Sequence, residues 1–283
     1  MHPLPQLMCK NTVEKWAVER LGLTVEASLK YDMLDDDSRL SDLYAWRELT
    51  SSVHLPFSLA DRRLNIAALD DTWRQHSLDT LTRSLEIASR LDARRVVIHS
   101  APRYWDGQTV GEYDRLIEGL RQIAASAGRY DLTVCLENNR TYWDGCDPTQ
   151  GPESIDRSGI NAYFGVEPHE WIAQVANAGA QNLHLCLDTS HAVTTAQTAT
   201  SFDRRVAVMD EFLAAGDRII HVHWNDNYLF DTRGRKDSHR PLGQGSLPLD
   251  FQRRVSCLNA SFHLERVLNA SQLVEEMSYI DAL

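Results

Sequence analysis

The chain has no apolar run approaching the roughly 20 residues a membrane span needs, and no basic segment followed by an apolar core between Met1 and Lys10. The expectation is therefore a protein without a span or secretory leader. Cysteine is sparse: Cys9, Cys135, Cys146, Cys186 and Cys257 are odd in number, widely spaced and never arranged as C-x-x-C. That excludes a disulfide framework and a zinc ribbon, and a reduced, cytoplasmic interior is the simple expectation. Basic charge is short as well, with 29 Lys and Arg against 40 Asp and Glu, a net charge of -11. A broad nucleic-acid footprint needs clustered Lys and Arg. Bound divalent ions would dominate the local field, however, so an acidic chain of this kind can still take an anion at a metal site. No linker, repeat or low-complexity tract interrupts the chain.

Its 283 residues, 43% of them hydrophobic, suit one α/β domain of the size typical of a (β/α)8 TIM barrel, about 250 residues. Short β-rich runs alternate with amphipathic stretches, which implies parallel βαβ units. Strands are predicted at Leu23–Ala27, Ser51–Leu55, Arg95–Ser100, Leu132–Asn138, Leu183–Asp188, Ile219–Trp224 and Ser261–Glu265, with a weaker first strand at Pro5–Cys9. Between them, Leu78, Leu81, Leu85 and Ala88 form one apolar stripe, and Leu116, Leu120, Ile123 and Ala124 another. The second follows a capping-box pattern, Thr109-Val-Gly-Glu112, and has Gly128 as its stop. Pro168 suits a first helical turn and Ser271 a cap for the last helix. The connection over about 138–166 exceeds the usual loop length. It carries Tyr142-Trp143 and Tyr163-Phe164. Aromatics argue against disorder, leaving a lid over the barrel mouth or a loop packed on the rim.

Ligand-type residues sit at successive predicted strand ends: His54, His99, Glu137, Asp188, His223 and Glu265. His191 follows Asp188 by one helical turn, and Asp237 and His239 follow the seventh strand. A lone strand histidine is ordinarily a hydrogen-bonded core residue, and Asp188-x-x-His191 occurs by chance. Nine such residues in barrel order are harder to explain as packing. In a parallel barrel these ends converge on the C-terminal face, where active sites lie. Mixed imidazole and carboxylate suits zinc, with Mn2+ or Fe2+ as alternatives, and metal ions would relieve the repulsion among the carboxylates. Alternation places Ser52, Val97, Cys135, Cys186, His221 and His263 one layer below. There His221 and His263 read as supporting or core histidines, and the two cysteines as small buried hydrophobes.

With His54-Leu-Pro, Val-Ile-His99, Leu-Glu137-Asn, Leu-Asp188-Thr-Ser-His191, His223-Trp-Asn-Asp226 and Asp237-Ser-His239-Arg-Pro-Leu-Gly243-Gln-Gly245 in order, the sequence resembles the xylose isomerase-like TIM barrel superfamily. Its metal-ligand motifs look most like those of the endonuclease IV (AP endonuclease) family. That resemblance implies up to three zinc ions: one on His54, His99 and Glu137, a second on Glu137, Asp188, His223 and Glu265, and a third on His191, Asp237 and His239. It implies phosphodiester cleavage at abasic DNA, with Glu137 and Glu265 catalytic. The chain departs from the family in three places. Arg62-Arg63 offers no clear intercalating pair, the family's Gly-Glu-Gly is Gly243-Gln244-Gly245, and the insertion after Glu137 is longer.

Sugar isomerases and epimerases of the same superfamily provide the rival expectation. They use a one- or two-metal site, a single metal being held by counterparts of Glu137, Asp188, His223 and Glu265, and two glutamates shuttle a proton beside a carbonyl. Trp105, Tyr142, Trp143 and Trp224 would then wall a pocket for a sugar or sugar phosphate, with Arg240 beside them. A non-catalytic metal-binding protein is the third class.

Overall fold

The computed structural model describes residues 7–283. Eight parallel strands close into a barrel: β1 Leu7–Lys10, β2 Thr24–Ser28, β3 Thr50–His54, β4 Arg95–His99, β5 Thr133–Glu137, β6 Leu183–Asp188, β7 Ile219–His223 and β8 Ser261–Leu264. Each pairs with its chain neighbours, and β1 pairs with β8, Leu7 opposite Phe262, to close the ring. All eight correspond to predicted strands, with ends differing by a residue or two. Pro5 of the predicted first strand lies outside the described residues.

The strands bury both faces, as a barrel wrapped by helices requires. Outward residues such as Val53, Val96, Val134 and Leu185 join the main core. Val97, Cys135 and Cys186 pack together inside the barrel, the place alternation gave the two cysteines.

The predicted stripes are the buried faces of α3 (Asp71–Arg90) and α4 (Tyr113–Gly128), counting the short Lys15–Arg20 and Asp37–Tyr44 as α1 and α2. Asp70 caps α3 by accepting the Trp73 N–H. The expected capping box of α4 does not form. Thr109 is held in a short antiparallel strand, Gln108–Thr109, and Glu112 is the cap residue without a side-chain bond. Pro168 does open α5 (Pro168–Ala178), and Gly179 ends it at φ 64°. After α6 (Thr189–Ala196), α7 (Phe202–Leu213) and α8 (Leu249–Ser256), the last helix is α9 (Ala270–Asp281). Its cap is Asn269, in a reciprocal capping box with Gln272, rather than Ser271. Two polar residues in sequence offered the cap, and the backbone turn decided between them.

The connection from β5 to α5 is tied down along its length. Ala162–Tyr163 pairs antiparallel with Pro102–Trp105, which in turn pairs with Gln108–Thr109, making a small three-stranded sheet above the barrel. The Trp143 indole N–H donates to the Thr194 carbonyl at 2.9 Å, and the Arg235 guanidinium donates to the carbonyls of Asp147 and Gln150. Bonds of this kind satisfy loop backbone that would otherwise be costly to bury.

Candidate metal centre at the barrel mouth

The nine candidate ligands converge at the C-terminal end of the barrel in three groups: His54, His99 and Glu137; Glu137, Asp188, His223 and Glu265; and Asp188, His191, Asp237 and His239. Within each group the ligating atoms all lie within 4.8 Å of one another. Glu137 joins the first group to the second. Asp188 joins the second to the third, a link not anticipated from sequence.

Strand register explains the convergence. His99 is level with Glu137, and Asp188 with His223. Glu137 Oε2 lies 3.0 Å from His99 Nε2 and 3.3 Å from His54 Nε2, while its Oε1 lies 3.1 Å from His223 Nδ1. Glu265, one residue beyond β8, places Oε2 3.3 Å from the same nitrogen. His239 Nε2 lies 2.8 Å from Asp237 Oδ1.

Two histidines are oriented by backbone. His54 donates from Nδ1 to the Leu55 carbonyl at 2.9 Å, and His191 from Nδ1 to the Asn138 carbonyl at 2.8 Å. Each therefore turns Nε2 into the site, the second-layer device that fixes metal-ligating imidazoles. His239 sits at φ 37°, a left-handed conformation uncommon outside glycine and held by its surroundings. Phe57 stacks face to face on His99 at 4.9 Å and 7°.

Burial and the pairing of carboxylates with imidazoles shift several of these groups. Burial raises the Asp188 carboxyl to about 6. Burial also pushes Glu137 upward, but the surrounding His223 and His99 hold it well below the ordinary carboxylate range. Burial opposes protonation of His239, yet Glu265 and Asp237 carry its pKa up to about 9. Asp237 Oδ1 and His239 Nε2 are buried without a hydrogen-bond partner. Four carboxylates interleaved with five imidazoles, with donor atoms left over, fit divalent metal ions well.

Beside the groups lies a cavity of about 200 Å³ lined by Phe57, Arg63, His99, Arg140, Tyr142 and Tyr163, among others. Tyr142 and Tyr163 stack at 6.0 Å, and Trp105 stands edge-on to both. Arg63 also borders a larger groove of about 670 Å³, which Trp105 lines. Tyr142 is thus a wall as expected, and Trp105 supports it from behind. Trp143 and Trp224 do not line this cavity. Trp143 is buried beneath Arg157 and Arg235. Trp224 is 0% exposed against Phe262 in the outer core, because alternation turns it outward once His223 points in. Arg240 is half-buried on the seventh-strand loop, where its backbone pairs with Asp226, and does not line the cavity.

Three neighbours, Lys10, Arg140 and Glu26, escaped the sequence reading, and a fourth, Arg63, figures there only as a candidate intercalating residue. Lys10, at the end of β1, places Nζ 3.6 Å from Glu265 Oε1. Arg63, in a two-residue strand paired antiparallel with Ser58–Leu59, and Arg140, on the β5–α5 connection, approach each other in a way that no local pattern records. Glu26, in the middle of β2, is 2% exposed beneath the site. Its signal was a single ionisable residue between Val25 and Ala27 in an otherwise buried strand.

A closed parallel barrel carrying several possible metal-binding groups at its C-terminal mouth defines a TIM barrel. The chain belongs to the xylose isomerase-like TIM barrel family, whose pattern matches residues 17–260. An uncharacterized protein of Methanocaldococcus jannaschii is 25% identical over 202 residues, 71% of this chain but only 57% of that protein. A probable endonuclease 4 of Solibacter usitatus is 25% identical over 198 residues, 68% of this chain and 61% of its own length. The chain thus spans less than two thirds of either relative. Among solved structures, a D-tagatose 3-epimerase-like protein superposes with a TM-score of 0.68 at 19% identity, covering 98% of this chain and 96% of the other. That likeness speaks to the fold alone. No helix among the described residues is long and apolar enough to cross a membrane.

Proposed function

We propose that the barrel mouth holds a multinuclear divalent metal centre, zinc by preference, and that the protein hydrolyses phosphoesters. The observation that carries this reading is the sharing of Glu137 and Asp188 among three adjoining ligand groups. A one-metal proton shuttle needs only the tetrad Glu137, Asp188, His223 and Glu265. His54, His99, His191, Asp237 and His239 would then have no purpose so close to it. Divalent ions in these groups would supply Lewis-acid charge to a phosphoester and lower the pKa of water.

The chain's own residues complete the site. Glu137 and Glu265, which flank His223 Nδ1 at 3.1 and 3.3 Å, hold the metals and are the candidates to orient water. Arg63 and Arg140, on the cavity wall, would bind the anionic oxygens of the substrate. Tyr142 and Tyr163 would exclude bulk water and pack on the remainder of the molecule. A cavity of about 200 Å³ suits a small phosphorylated compound, a sugar phosphate among them, better than an abasic DNA duplex.

The second reading, a sugar isomerase or epimerase, draws on the same small aromatic-walled cavity and on the tetrad. Two measurements separate them. Metal analysis of protein purified without chelator should give two or three equivalents for the hydrolase and one for the isomerase. A side-by-side assay with an abasic oligonucleotide, small phosphate esters and a panel of ketoses should show phosphate release or strand cleavage. Ketose interconversion without either would overturn the proposal. The buried free cysteines Cys9, Cys135 and Cys186 favour a reducing compartment, the cytoplasm.

A further inference from the structure

One layer below the metal-ligand groups lies a second polar cluster inside the barrel. Glu26 Oε2 accepts from the Ser52 hydroxyl at 2.7 Å and from His221 Nε2 at 2.8 Å. The Nδ1 of His221 pairs with the Ser261 hydroxyl at 2.7 Å, which fixes that ring. The other oxygen, Oε1, lies 2.9 Å from His223 Nε2 and 3.1 Å from His263 Nδ1, and neither contact has hydrogen-bond alignment. His223 therefore spans the two layers, Nδ1 among Glu137 and Glu265 above and Nε2 against Glu26 below.

Two chemistries fit such a cluster. A further buried metal ion on Glu26, His223 and His263 would have three protein donors, one short of a closed structural site. It would also require His223 to serve metals through both nitrogens at once. A carboxylate that orients a ligating histidine needs nothing further.

We propose that Glu26 is the positioning residue of the metal centre: its carboxylate charge, 2.9 Å from His223 Nε2, favours the proton of the metal-bound ring on that nitrogen and leaves Nδ1 to face the ligand groups. Ser52 and His221 anchor that carboxylate from the far side. The assignment rests on the metal-centre reading above. It explains why an ionisable residue occupies the interior of β2, where an apolar side chain would pack at less cost.

The experiment compares wild type with Glu26→Gln, Glu26→Asp and Ser52→Ala. Zinc affinity by chelator competition should fall about 10- to 100-fold for one metal in Glu26→Gln, recover in part in Glu26→Asp, and fall less in Ser52→Ala. Cobalt-substituted Glu26→Gln should show altered d–d absorption. The 15N-histidine NMR spectrum of zinc-loaded wild type should place the His223 proton on Nε2. That spectrum and Ser52→Ala decide the matter should Glu26→Gln fail to fold.

Wild-type affinity and an unchanged cobalt spectrum in Glu26→Gln would overturn the proposal while leaving the metal centre standing. So would a His223 proton on Nδ1. Loss of one whole metal equivalent from both Glu26→Gln and His263→Gln would overturn it in favour of a ligand role. A wild-type chain that binds no metal at all would bring down both readings.

Discussion

His191, one turn into α6, brings Nε2 to 3.2 Å from Asp237 Oδ2 on a loop 46 residues further along the chain. That contact, with His239 against Asp237 Oδ1, assembles the third ligand group, which meets the tetrad at Asp188. His191→Ala and His239→Ala should each remove one metal equivalent, read by elemental analysis, while the Glu137–Asp188–His223–Glu265 tetrad keeps its own. Hydrolysis should drop by at least about 100-fold, more than loss of an outer-layer partner costs. Ketose interconversion that survives both substitutions would favour the one-metal isomerase.

Removing the metals should expose the repulsion they offset. Metal-free protein should melt at lower temperature, and re-addition of zinc at about 1,000 times its Kd should restore roughly 4 kcal/mol. Identical melting curves with and without metal would contradict a multinuclear site at this position.

Metal uptake should release protons. The His239 pKa is raised to about 9, its burial outweighed by Glu265 and Asp237, so near neutral pH the metal-free chain holds a proton there that a metal must displace. Apparent affinity should rise with pH up to about 9. The sign is opposite for the metal-free fold. A histidine whose pKa rises on folding contributes stability that is complete below its unfolded value, about 6.5, and is lost as pH climbs through about 9. Melting temperatures of metal-free wild type and His239→Ala between pH 6.5 and 9 test this, since the variant should lack that part of the decline.

Arg63→Ala and Arg140→Ala should raise KM for a phosphorylated substrate about tenfold or more, as expected for losing one charge-assisted contact, about 1.5–3 kcal/mol. Metal content should not change, because neither residue belongs to a ligand group. Unaltered kinetics for both would remove the anion-binding role.

The loop carrying Asp237 and His239 is closed by Asp226. Its carboxylate accepts the backbone N–H groups of Gly243 and Leu247 at 3.0 and 3.1 Å. A Cβ at Gly245 would press into Asp226 Oδ1 and the Asn227 carbonyl. Gly245→Ala should cost about 1–3 kcal/mol and weaken the third metal more than the first. Both are readable from chemical denaturation and chelator competition.

The strands, the two helix stripes and the nine polar residues at the barrel mouth were legible because each rests on local information. Alternation decides which residues of a strand point inward, and the ends of parallel strands meet on one face whatever the details. Even the outward placement of Trp224 was available from the inward placement of His223. Tertiary structure decided what depends on approach between distant segments. The β5–α5 connection is pinned by Pro102–Trp105, and Asp188 is shared between two ligand groups. Arg63 and Arg140 meet at one cavity, and Glu26 contacts His221 across 195 residues. No periodicity records such pairings. They follow from register and barrel closure, which appear only when all eight strands are present.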